Sequence, residues 1–307
     1  MSTRAPVADY SSALVAGPWR HEFVPAHGMR FHAAIAGPER SSAPLVVLIH
    51  TFGQFWWAWR NQIPALMAAG FRVAAIDLRG VGASDKPPRG YDVPTRTRDV
   101  AALIRSLGHD RAVIVGHGTG GEVAWSMAAL QPAVTRAVAA LSSPHPSRVH
   151  SGLSKRLTPA ASHLVAFAQV PFAPERRLVD GDILDRYFAL GAASPLADEA
   201  IDLYRTVMRI PFAAHTSVEA LRWSVRSLAR GDGRRYAAAV RRVLAVPALQ
   251  VHGAKDGIMR LAGAEADGAA LARDFRFEVI DRAGHFLPEE TPNQVTDLLL
   301  NWLASLP

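Results

Sequence analysis

The chain has 307 residues, is 49% hydrophobic and 20% charged, and carries 34 Lys and Arg against 27 Asp and Glu, a formal charge of +7. That composition fits one large globular domain, or a domain with an insertion, and excludes collagen-like, coiled-coil and disordered chains. With no cysteine, disulfides, a thiolate nucleophile and Cys-ligated zinc or iron–sulfur sites are excluded as well.

In chain order, His21–Pro25 and Met29–Ala36 meet at Gly28 and read as a hairpin. Leu45–His50, Arg72–Asp77 and Ala112–Gly116 read as strands, with helical stretches at Trp56–Ala69 and Pro94–Leu107 between them. LVVLIH and AVIVG are apolar without alternation, the pattern of parallel strands covered on both faces. A helix follows near Gly120–Leu130, then a strand over Val134–Leu141. From about Arg148 to Val246 the strand signal disappears, and helical patterns are broken by five prolines. One of these helices begins at Thr216-x-x-Glu219, the form of a capping box. Strands return at Ala248–His252 and Phe275–Ile280, and Thr291-Pro292 opens a final helix. The expected organisation is an α/β core of residues 1–147 and 246–307, interrupted by a helical insertion over 148–245.

Almost all the positive charge is arginine, since Lys86, Lys155 and Lys255 are the only lysines. Spread over solvated faces it needs no partner, and without zinc-finger, RNP or KH signatures no nucleic acid is expected. Arg222, Arg226 and Arg230 at spacings of four, continued by Arg234 and Arg235, form a basic stripe. It is either a solvated face or a contact for an anionic ligand, partner or membrane surface. No run of eighteen apolar residues is present, and the N-terminal apolar stretch is interrupted by Asp9 and Tyr10. A cytoplasmic chain is the expectation.

In an open parallel sheet, ligands gather beyond the carboxyl ends of the strands. There, Gly116-His117-Gly118-Thr119-Gly120 has the form of a nucleophile elbow, a sharp turn from strand to helix. Asp256 follows a later strand and His285 follows the last one. Elbow, acid and histidine in this order are the chain order of an α/β-hydrolase triad.

Across nearly its whole length the chain resembles an α/β-hydrolase with a helical cap, on the epoxide hydrolase and haloalkane dehalogenase branch. The resemblance rests on five motifs: Leu48-Ile49-His50 before the aromatic run Phe55-Trp56-Trp57-Ala58-Trp59; Asp77-Leu-Arg79-Gly80-Val-Gly82; the elbow; Ser143-Pro144-His145-Pro146; and Gly284-His285-Phe286 with Glu289-Glu290 behind. It implies a mostly parallel eight-stranded sheet flanked by helices, a catalytic site without metal or cofactor, and a pocket under the cap. It also implies an oxyanion pair from the backbone N–H groups of Phe52 and Thr119, and pocket residues among His50, Trp57, Tyr187 and Tyr236. In epoxide hydrolases two cap tyrosines hold the epoxide oxygen; Tyr187, Tyr204 and Tyr236 are the candidates.

The departures bear on function. The family's nucleophile position is Gly118, which has no atom to attack with, so no covalent intermediate can form there. The position that is Trp in many relatives is Thr119, which excludes a halide site, and the family's His-Gly-x-Pro loop reads His50-Thr51-Phe52-Gly53. Two departures at one site read as natural substitution rather than a single inactivating replacement. The elbow strains its central residue by about 1–3 kcal/mol, which glycine avoids. Among other hydroxyls, Thr119 is expected to point away, and Ser142 and Ser143 to cap a turn. His50, His117 and His252 read as buried hydrogen-bonding residues, and no ligand-spaced histidine pair suggests a metal. The His285–Asp256 pair either acts as a general base or merely ties loops together. Three functions follow as expectations: a catalytically degenerate homologue that binds a small apolar molecule or acyl chain, or runs a general-base reaction; an active epoxide hydrolase or esterase in which His285 activates water; or an interaction module acting through the basic cap.

Overall fold

The computed structural model describes residues 6–39, 42–147 and 156–307. Strands are β1 (Arg20–Ala26), β2 (Met29–Ala36), β3 (Leu45–Ile49), β4 (Arg72–Ile76), β5 (Ala112–His117), β6 (Thr135–Leu141), β7 (Ala248–Gly253) and β8 (Phe275–Ile280). They form one eight-stranded sheet in the order β1-β2-β4-β3-β5-β6-β7-β8. The β1–β2 hairpin is antiparallel and joins β4 antiparallel, and every other pairing is parallel.

The apolar runs bury alternate residues on two faces, as a sheet covered on both sides requires. Val46 and Leu48 pack in the layer that holds Trp56, Trp59, Leu299 and Trp302. Leu45, Val47 and Ile49 pack with Val100, Leu103 and Ile104 of α2 (Val93–Ser106) and Val123 of α3 (Thr119–Leu130). The helix expected over Trp56–Ala69 is split into a 3-10 turn, Trp56–Trp59, and α1 (Ile63–Ala68), with Pro64 in its first turn, where a missing N–H is tolerated.

Between β6 and β7 lie α4 (Pro159–Phe167), α5 (Ala173–Asp180), α6 (Ile183–Gly191), α7 (Asp198–Met208), α8 (Ala213–Arg226) and α9 (Gly231–Val240). The expected start of this cap, residue 148, lies outside the described residues. Two expectations for the cap are corrected. Thr216 does not open a helix; it sits inside α8, and its hydroxyl donates to Gly80 O at 2.6 Å, tying the cap to the loop after β4. The arginine stripe is not one solvated face either. Arg222 is buried, donating to Ala168 O (2.9 Å) and Val170 O (2.7 Å) and pairing with Glu175 and Glu219. The helix ends at Arg226, and a 3-10 turn separates Arg230 from it. Four-residue spacing predicted a shared face but not that this face meets the carbonyl end of a neighbouring helix.

After β7 come α10 (Ala264–Leu271), β8, α11 (Leu287–Glu290) and α12 (Pro292–Ala304). Pro292 opens α12 as expected, although the Thr291 side chain makes no cap and donates instead to Leu287 O. No helix among the described residues is long and apolar enough to cross a membrane.

Candidate active site

Four loops converge beyond the carboxyl ends of β3, β5, β7 and β8. The turn from β5 into α3 holds Gly118 at φ 53° and ψ −113°, a region that side chains rarely adopt. Its N–H donates to Leu141 O at 2.9 Å, and its carbonyl accepts from Glu122 N at 3.1 Å. The turn is tight because α3 starts close against β3: a Cβ on Gly120 would overlap Ile49 O. The elbow geometry is therefore intact around a residue that presents no side chain.

His285 Nδ1 donates to Asp256 Oδ2 at 2.9 Å, and both side chains are 1% exposed. Asp256 Oδ1 accepts from the N–H groups of Ile258 and Met259, each at 2.8 Å. Burial pushes the Asp256 carboxyl up, but His285 and these two donors outweigh it and hold it below the usual carboxylate range. An ionised Asp256 fixes the tautomer in which Nε2 of His285 is the free base. A Cβ built on Gly118 would stand 3.1 Å from that Nε2, so the imidazole still faces the nucleophile position.

The space at that position is occupied by Thr51. The same virtual Cβ would overlap Thr51 Oγ1 and lie 2.8 Å from Thr51 Cβ. Thr51 Oγ1 also accepts from Thr119 N at 3.3 Å, so one of the two expected oxyanion donors is turned to a threonine. The hydroxyl faces the Tyr187 phenol too, whose pKa burial pushes up. Phe52 lines the cavity and meets Tyr187 edge to face, with ring centroids 5.3 Å apart.

The cavity under the cap has a volume of about 120 Å³ and mostly apolar walls, including Leu164, Phe167, Leu178, Val218 and Met259. His50, Phe52, Thr119, Tyr187 and His285 line it. Trp57 and Tyr236, expected there, are corrected. Trp57 lies under the Arg60 guanidinium, 3.8 Å from the ring centroid, and beside Tyr204. Tyr236 is in the core behind α3, bonded to Ser126 Oγ at 2.8 Å and packed on Trp223. Tyr204 hydrogen-bonds Glu289. Of the three candidate tyrosines, Tyr187 alone faces the cavity. Helical periodicity assigns a face but not which neighbour that face meets, and both misplacements follow from this.

The neighbouring histidines His117, His50 and His252 are all buried. His117 Nε2 donates to His285 O at 2.7 Å, and burial, helped by the nearby His285, lowers its pKa to about 3. His50 bonds the carbonyl of Thr51 (2.8 Å) and the N–H of Leu78 (3.2 Å), and burial lowers its pKa. His252 contacts Gln250. Ser142 and Ser143 are buried away from the cavity walls. Among the described residues no group of three or more His, Asp or Glu is placed to hold a metal ion.

Two features went unread in the sequence. Glu290 accepts from Ala193 N (2.7 Å), Gly284 N (3.0 Å) and Phe286 N (2.8 Å), clamping the loop that carries His285 to the cap. The other is the Thr51 side chain itself: its position was visible as a departure, but its contact with Gly118 joins loops far apart in sequence.

A family profile described as the alpha/beta hydrolase fold matches residues 44–292. The AB hydrolase superfamily protein YfhM of Bacillus subtilis is 32% identical over 296 residues, spanning 92% of this chain and 98% of that protein. Epoxide hydrolase 3 of Xenopus tropicalis is 30% identical over 285 residues, spanning 90% and 75%. Among solved structures, an epoxide hydrolase from an endophytic Streptomyces superposes with a TM-score of 0.78 at 26% identity, over 95% of this chain and 97% of that one. Cfl2 from Burkholderia cenocepacia gives 0.80 at 29%, over 93% and 96%. The chain belongs to the α/β-hydrolase fold family, on its epoxide hydrolase-like branch.

Proposed function

We propose that this chain holds a small, largely apolar molecule or acyl chain under its cap and acts on it without a covalent intermediate at position 118. His285, oriented by Asp256, is the general base: Nε2 takes a proton from water, or from a carbon or oxygen acid of the bound molecule. The observation that carries this reading is the coexistence of an intact, buried His285–Asp256 pair with a glycine whose side-chain space Thr51 fills. A base of this kind is worth about 10²–10⁴-fold when the substrate is well placed. Epoxide opening is supported less well than hydrolysis of an ester-like group, because one cavity tyrosine rather than two is available to a strained oxygen.

The test is turnover of nitrophenyl esters and styrene-type epoxides by the wild type and by His285→Gln, with intact-mass spectrometry during turnover. Activity that falls by about 10²-fold or more in the variant, with no adduct on the protein, is the expected result. An adduct, or activity indifferent to His285, would overturn it. Tight binding of apolar probes without any turnover favours the second reading, a pure binding protein, for which the Thr51 plug is the supporting observation.

A further inference from the structure

The mostly apolar cavity is also lined by three charged residues: Arg96 from α2, Glu122 from α3 and Arg156 from the entry to the cap. All three are buried, at 6%, 4% and 5% exposure. Arg156 Nη2 pairs with Glu122 Oε2 at 3.1 Å, which neutralises one guanidinium. Arg96 has no equivalent. Its Nε is buried without a hydrogen-bond partner among the described residues, as is the Nε of Arg156.

The acids around Arg96 are Asp92, Asp99 and Glu122; none forms an ion pair with it among the described residues. Asp92 and Asp99 are committed elsewhere, and Glu122 spends Oε2 on Arg156 while its Oε1 has no hydrogen-bond partner among the described residues. Asp99 takes the fork of Arg79 at 2.6 and 2.7 Å and also bonds His27. Asp92 caps the first turn of α2 through Thr95 N at 2.7 Å. Glu122 faces Arg156 and the Tyr236 phenol. A guanidinium stays charged at any ordinary pH, and a buried, unpaired charge is strongly disfavoured unless something supplies the counter-charge.

We propose that Arg96, which lines the cavity together with Arg156, is a subsite for the carboxylate of the bound molecule, so that the ligand is an apolar monoacid. This deepens the function proposed above and rests on it for the apolar body of the ligand. Two guanidiniums against one carboxylate leave a single positive charge, which matches a monoanion better than a phosphate dianion. The fork geometry of a guanidinium suits a carboxylate. Thr119 and Glu122 are three residues apart on α3 and both line the cavity, so the acid head sits about one helical turn from the elbow. The part of the molecule beside His285 is then close to its carboxylate, not at the far end of its chain.

Calorimetric titration of octanoate and 4-phenylbutyrate, each against its primary amide, decides this. The wild type is expected to bind the acids about tenfold or more tightly than the amides. Arg96→Gln is expected to bring acid affinity down to that of the amide while amide affinity holds, and His285→Gln to keep the preference for acid. Equal affinity of acids and amides in the wild type overturns the subsite whatever the variants do, and so does a preference that survives in folded Arg96→Gln. Failure of acids and amides alike overturns the apolar pocket on which the subsite rests, an outcome distinct from binding without discrimination. An ethyl phosphate or octyl phosphate bound more tightly than octanoate also overturns the assignment to a carboxylate.

Discussion

Thr51 and Gly118 interlock: the threonine hydroxyl stands where the first carbon of a side chain at 118 would be, and no side chain fits at 118 while Thr51 keeps its place. Gly118→Asp alone therefore combines overlap with a left-handed backbone, and an expected loss of about 2–5 kcal/mol. Thr51→Gly relieves the overlap. In Thr51→Gly/Gly118→Asp about 1–3 kcal/mol of that loss returns, a coupling read from a double-mutant cycle of denaturant melts. Additive single effects would contradict the interlock.

The acid limb of stability follows from buried histidines. His117 and His145 are lowered to about 3, chiefly by burial, while in the unfolded chain both titrate near 6.5. The unfolded state binds more protons between those values, so stability is full above about pH 6.5 and falls as pH drops toward 3. Between pH 7 and 5 each site removes about 2 kcal/mol. Replacing His117 with Gln should shallow the slope of urea midpoint against pH in this window, and a parallel curve would refute the assignment.

Asp256 acts lower on the scale. Its folded pKa is depressed, so its stabilisation is present above the unfolded value near 3.9 and is lost as pH falls through the folded value. Asp256→Asn should leave a protein whose stability no longer responds to pH through that carboxylate. The same variant should lose activity at pH 7, because His285 Nδ1 loses its anionic partner. Melting curves at pH 3, 4 and 7 read the first effect and steady-state assays the second.

Glu290 is a positioning residue. Its three backbone N–H contacts hold the loops of Ala193, Gly284 and Phe286, and Glu290→Ala should cost about 2–4 kcal/mol. Because the loop carries His285, kcat should fall more than KM rises, and Glu290→Gln should rescue part of both. Stability loss with unchanged kcat would confine Glu290 to a structural role.

The tyrosines separate wall from core. Tyr236→Phe deletes the bond to Ser126 and the hydroxyl that faces Glu122 and should cost about 1–2 kcal/mol, with less change in ligand affinity than Tyr187→Phe. Tyr187→Phe should alter ligand affinity. Equal effects on binding would contradict the placement of Tyr236 outside the cavity.

How much of this was readable from the residues follows from physical range. The glycine-framed turn, the strand runs and the positions of Asp256 and His285 are local patterns, and their order along the chain identifies the fold. What the residues did not disclose depends on which faces meet. Tyr187 and Tyr236 look alike in a helical sequence, yet one helix turns its ring to the cavity and the other to α3. Arg222 sits in a regular series of arginines, but only packing against the end of α4 buries it. Arg96 lies on an ordinary amphipathic helix, and its isolation emerges only when Asp92 and Asp99 are seen to be engaged by others.

The Thr51–Gly118 interlock also dictates how this scaffold responds to engineering. Libraries that vary one of the two positions sample poorly folded proteins at 118, or an unfilled void at 51. Productive variants lie along the diagonal where both residues change together, so the two codons form a single unit of search.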